Sequence, residues 1–172
     1  MLCIVEFAKI VLGCVFAVII YGIIHDQITA RICLEYFTVF HPPVFATQSP
    51  TLLAFGWGVI ATWWAGAIVG SFLAISARFG LKAQLSAREL TPLVLCLLGV
   101  MAFCAVLFGV IGYFKGTMPV ELNDLLPVAK HKRFLADWWA HNASYGSGFL
   151  GGLIICVIVC VKRIRMAAQE AA

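Results

Sequence analysis

A chain of 172 residues that is 63% hydrophobic and 12% charged, with a formal charge of +4 and a mean hydropathy of +1.01, lies far outside the balance of a water-soluble domain. That composition makes the lipid bilayer the expected partner and gives no expectation of a nucleic-acid partner. Of the seven cysteines, Cys3, Cys14, Cys96, Cys104, Cys156 and Cys160 lie in apolar segments and only Cys33 in a more polar one, so no disulfide framework is implied.

Crossing about 30 Å of hydrocarbon as helix takes about twenty apolar residues. The first such run is 7–24. Lys9 near its start can extend its amine to the headgroups, and no small-x-small cleavage site follows before His25, so the run reads as a retained span. Residues 25–38 contain neither Gly nor Pro and are predicted to prolong this helix until His41-Pro42-Pro43 stops it. Arg31 and Glu35 would then form a surface pair four residues apart.

The second span, 52–77, carries small residues at four-residue spacing: Gly58, Thr62, Gly66 and Gly70. The connection after it holds Arg78, Lys82 and Arg88 against Glu89, and Ser86-Ala87-Arg88-Glu89 has the spacing of a helix capping box. The third span is 93–114, and Gly116 reads as a loop glycine beyond it. The second outer segment, 115–144, has turn residues up to Pro119 and again at Pro127, after which 128–141 is predicted to run as helix into the fourth span, 145–161. That span repeats the small-residue pattern with Ser144, Gly148, Gly152, Cys156 and Cys160. Such stripes allow helix backbones to approach closely in lipid, and a homo-oligomer or a membrane-protein partner could use the same faces.

The apolar runs are continuous and do not alternate, which excludes a membrane β-barrel. The expected fold is all-α: one transmembrane domain over 1–172, a four-helix bundle with helical extensions on the non-cytoplasmic side. Lys162, Arg163 and Arg165 in the tail, with the basic connection between spans two and three, place both termini in the cytoplasm.

All four histidines, His25, His41, His131 and His141, then fall on the opposite side, with Asp26, Glu35, Glu121, Asp124 and Asp137. His25-Asp26 leaves span one at the depth where Asp137 and His141 enter span four. Asp137 and His141 are four residues apart on one helix face, a spacing that lets two side chains share an ion or lets the carboxylate orient the imidazole. Two imidazoles with one or two carboxylates suit zinc or non-haem iron; haem would need His25 and His141 as facing axial ligands. A hydrogen-bonded polar network is the simpler reading of the same four residues. Glu35, His41, His131 and Asn142 form a second tier, read as loop or solvent residues, and Trp63, Trp64, Trp138 and Trp139 read as interfacial anchors or packing. Spans two to four hold no ionisable group at mid-membrane apart from Cys and Tyr, which argues against a pore or carrier.

The stretch HDQITARICLEYFTVFHPP at 25–43, with SPTLLAFGWG at 49–58, resembles one in small uncharacterised bacterial membrane proteins. The resemblance covers under a quarter of the chain, implies a bacterial inner-membrane location and transfers no functional residue. Two functions remain open: an accessory or assembly subunit of a membrane complex, and a metal-binding protein or metalloenzyme centred on His25, Asp26, Asp137 and His141.

Overall fold

The computed structural model describes residues 2–80 and 83–171, all helix and connecting segment with no strand among them. Lys82 and the side chains of Cys3 and Glu121 lie outside that description. The helices are α1 (Leu2–Ile32), α2 (Pro50–Ile60), α3 (Trp63–Arg78), α4 (Ala87–Lys115) and α5 (Val128–Glu170). Taking α2 and α3 together, four helices are long and apolar enough to cross a membrane.

Helix α1 packs against α2, α3 and α4, while α5 packs against α4 and α3. The seam between α1 and α2–α3 is made by glycine. A Cβ on Gly66 would lie 2.8 Å from the Val15 Cα, one on Gly58 would lie 2.7 Å from the Ile23 Cα, and one on Gly70 would lie 2.8 Å from the Cys14 Cβ. On α5, a Cβ at Gly152 would press on Val69 of α3 at 2.9 Å, and one at Gly148 would meet Met101 of α4 at 3.1 Å. The small-residue faces are therefore consumed inside the chain. Leu12, Phe16, Ile20, Ile24 and Ile28, spaced by four on the opposite face of α1, are exposed and apolar, as suits a helix facing hydrocarbon.

The second span is not one continuous helix. It breaks at Ala61 and Thr62, where the Thr62 N–H turns to the Val59 carbonyl at 3.3 Å, a tighter turn than α-helix, and the Thr62 hydroxyl donates to the Gly58 carbonyl. The Tyr145 hydroxyl on α5 donates to the Ala61 carbonyl at 2.7 Å. Irregular backbone inside an apolar segment long enough to cross a membrane needs partners of this kind, because apolar surroundings supply none.

At the basic end, Ser86 and Glu89 form the expected reciprocal cap of α4. Arg163, only 2% exposed, donates to the carbonyls of Ser76, Phe79 and Ala83, tying α5 to the end of α3. A cation there complements both the orphan carbonyls and the negative end of the helix dipole.

Two expectations are corrected. The first outer segment does not remain α-helical to His41: α1 ends at Ile32, Cys33 is non-helical, and Tyr36–Phe40 forms one π-helical turn. Arg31 and Glu35 consequently do not pair; Arg31 binds Gln27 and Thr51, while Glu35 meets Lys130 of α5 at 3.1 Å. Gly116 lies outside the helix, as expected of a loop glycine, but it is closely packed. It caps α4, its N–H reaches the Gly112 carbonyl at 3.0 Å, and a Cβ would come within 2.5 Å of that oxygen.

Gly99, which has open space around it, is the proper reference for the seam. Gly66→Leu should destabilise the purified protein by about 1–3 kcal/mol, because the added side chain meets backbone that cannot yield. Gly99→Leu should be close to neutral. Thermal unfolding in detergent distinguishes the two, and equal tolerance would show that the seam is not close-packed.

Candidate functional site

Asp26, 5% exposed, lies on the inward stripe of α1 together with Tyr21, Gly22 and His25. Helix α5 brings His141 to it: Nε2 of His141 is 3.2 Å from Oδ1 of Asp26. The other ring nitrogen of His141, Nδ1, is 2.7 Å from the Asp137 carbonyl one turn earlier. A carbonyl only accepts, so Nδ1 carries the hydrogen and a neutral His141 offers a lone pair on Nε2 toward Asp26. The His25 ring meets the His141 ring edge-to-face at 4.5 Å and stacks on Tyr21 at 5.8 Å. Tyr21 in turn shares a hydrogen bond of 2.8 Å with Ser144 of α5. Nε2 of His25 is buried with no hydrogen-bond partner among the described residues. One ligand atom from each of His25, Asp26 and His141 fits within a group no wider than 4.8 Å.

The π-helical turn covers this cluster. The Tyr36 ring stacks on His141 at 4.4 Å and contacts His41 at 4.8 Å, and Phe37 and Trp57 complete an aromatic wall, with Trp57 4.5 Å from His41. His41 precedes Pro42 and is extended (φ −86°, ψ 152°), the conformation that a following proline favours. Its Nδ1 donates to the Tyr36 carbonyl at 2.7 Å, so its ring is fixed over the turn. Burial pushes the His41 imidazole below its ordinary basicity, and the hydrogen bond to Tyr36 only partly offsets this.

Below the cluster lies a cavity in which the centres of water-sized molecules can range over about 100 Å³. Its polar end is formed by His25, Asp26, His41 and His141; its depth is lined by Val18, Val69, Leu97, Leu98, Met101 and Ile155. Among the described residues, no Lys or Arg lines it.

Of the four residues first singled out, His25, Asp26 and His141 come together, whereas the Asp137 side chain does not join that group. Asp137 is fully buried and neither carboxylate oxygen has a hydrogen-bond partner among the described residues; the facing Cys33 amide is already bonded to the Thr29 carbonyl at 3.0 Å. Its backbone, not its carboxylate, orients His141. Glu35 pairs with Lys130, His131 binds the Leu126 carbonyl at 2.9 Å, and the exposed Asn142 binds the Trp138 carbonyl at 2.8 Å. His41 lies in the connecting segment just after the π-helical turn, as expected of a loop residue, and it also forms part of the cavity wall. A haem between His25 and His141 does not fit, since axial imidazoles stand on opposite faces of a macrocycle and these rings touch.

Tyr21, Tyr36, Trp57 and Tyr145 were missed by sequence reasoning. Tyr21 stands four residues before His25 and Tyr145 four after His141, a spacing that marks a shared helix face. Nothing in sequence places Tyr36 or Trp57 there. Compared with protein-family models, curated proteins and solved structures, the chain matches none.

Proposed function

We propose that this chain is a membrane protein that binds a divalent transition metal through His25, Asp26 and His141. The observation that carries the reading is the facing of His141 Nε2 and Asp26 Oδ1 at 3.2 Å, with the Nδ1 hydrogen of His141 already committed to a carbonyl. Two acceptors at that separation call for a proton or a cation between them. Ligands on a tetrahedral metal at 2.0–2.1 Å are roughly 3.3 Å apart, close to the separation found. The partnerless Nε2 of His25 supplies a third donor nearby. Donation from the second ring nitrogen to a backbone carbonyl is the usual support of a metal-binding histidine. Two imidazoles and one carboxylate suit Zn²⁺ or Fe²⁺ and leave a coordination position for a small oxygen ligand.

A purely structural accessory subunit is less well supported, because Gly58, Gly66, Gly70 and Gly152 meet helices of the same chain and are not left for a partner. We place the protein in a bacterial inner membrane on the strength of the resemblance carried by 25–43 and 49–58, and both termini in the cytoplasm on the strength of the basic connection and tail.

Purified protein should bind about one equivalent of Zn²⁺ or Fe²⁺, and metal at 100 times its Kd should stabilise folding by about 2.7 kcal/mol. Asp26→Asn and His141→Ala should weaken binding by more than the roughly 10–100-fold typical of a supporting residue. Calorimetric titration and thermal unfolding measure both quantities. Unchanged affinity in the two variants, or no stabilisation of the wild type by either metal, would refute the site.

Orientation is tested separately with reporter fusions. Those at the C-terminus should read cytoplasmic, and those near Gln48 and Asn123 periplasmic; a periplasmic C-terminus would invert the topology.

A further inference from the structure

We infer that the cavity beneath His25, Asp26 and His141 binds a neutral, single-tailed lipid with a planar, oxygen-bearing head, of the quinone or quinol class. The inference rests on the cluster being a ligand site, as proposed above, and adds what enters it.

Polarity along the cavity is segregated. On α1 the lining runs from Cys14 to Asp26, about 18 Å at 1.5 Å per residue. This is a little over half of the roughly 30 Å hydrocarbon thickness, so a tail lying along it would span about one leaflet. Polar and titratable groups crowd one end, and Val, Leu, Met and Ile line the other. The passage between them exists because Gly22, Ala61, Thr62, Ala65, Ser144 and Gly148 are all small. An apolar void lowers stability unless something fills it, and an apolar tail restores the lost dispersion contacts.

The head region selects the chemistry. Flat rings from Tyr36, Phe37 and Trp57 line it with the imidazoles, which favours a planar group over a bulky tetrahedral one. In the tautomer that carries its hydrogen, the unpartnered Nε2 of His25 can donate to a quinone carbonyl, and the carboxylate of Asp26 can accept from a quinol hydroxyl. A phosphate or carboxylate head would find no Lys or Arg among the described lining residues, and burying an unpaired charge is costly. A metal at the cluster is partly neutralised by Asp26, and a neutral oxygen suffices for its open position.

The test titrates full-length protein in detergent, metal-free and zinc-loaded, with decyl-benzoquinone, tail-less benzoquinone and decanoate, following tryptophan quenching and thermal stability. Decyl-benzoquinone should bind saturably, at least tenfold more tightly than either of the others. Val18→Phe and Leu98→Phe, which narrow the tail passage away from the metal ligands, should weaken it at least tenfold and leave zinc affinity unchanged. If both variants lose monodisperse elution, the ranking of the three probes on the wild type decides. Equal binding by folded plug variants, or decanoate binding as tightly as the quinone, overturns the inference. Zinc binding without saturable quinone binding overturns it and leaves the metal proposal standing. Plug-sensitive quinone binding without zinc binding supports the lipid site and refutes the metal.

Discussion

The close approach of α1 to α2–α3 is the contact on which the rest of the arrangement depends. With no Cβ at Gly22, Gly58, Gly66 or Gly70, the two backbones meet directly, and α1 can present only one face to the interior. That face carries Cys14, Val18, Tyr21, Gly22, His25 and Asp26 at helical spacing, while Leu12, Phe16, Ile20, Ile24 and Ile28 are turned outward. Helix α5 is fixed against Val69 at Gly152 and against Ala61 through the Tyr145 hydroxyl. His141, Ser144, Tyr145 and Gly148 then line the same cavity from the other side. The meeting of His141 with Asp26 follows from how two helices are rotated by packing.

Polar groups buried among these helices mark where their regularity is interrupted. The Ala61–Thr62 break frees a carbonyl that Tyr145 satisfies, and the break lies on the cavity wall. Arg163 serves the carbonyls at the end of α3. Asp137 differs from both: it is fully buried and has no hydrogen-bond partner among the described residues, beside the point where α1 ends. Burying such a group without a partner opposes folding by about 1–3 kcal/mol or more. At the polar end of the cavity itself, Nε2 of His25 is likewise without a hydrogen-bond partner among the described residues, a kind of incomplete satisfaction common where a structure serves a function.

Much of the helical architecture was legible in the sequence because its signals are local or periodic. Continuous apolar runs marked the spans, Ser86 and Glu89 marked the start of α4, and the four-residue glycine spacing marked the seam. That His25 and Asp26 could approach His141 was suggested by depth, since both pairs lie at corresponding points of their helices; the rotation that turns them toward each other, set by glycine packing, was not legible. The end of α1 at Ile32 was not legible. No Gly or Pro announces it; the contributors are tertiary, the Glu35–Lys130 pair and the packing of Tyr36 on His141 and Phe134. His41 was placed correctly in a connecting segment, but for the same reason nothing in the sequence showed that it lies in the cavity wall. Asp137 illustrates a different limit. Four-residue spacing correctly placed it beneath His141, but at that spacing the carbonyl competes with the carboxylate for the imidazole, and here the carbonyl holds it.

The pairing of His141 with Asp26 as joint ligands is tested most directly by X-ray absorption at the zinc edge of zinc-loaded protein. The expected spectrum has two imidazole nitrogens and one or two oxygens near 2.0–2.1 Å, with one imidazole lost in His141→Ala. An all-oxygen shell, or a spectrum that His141→Ala leaves unchanged, would contradict the assignment.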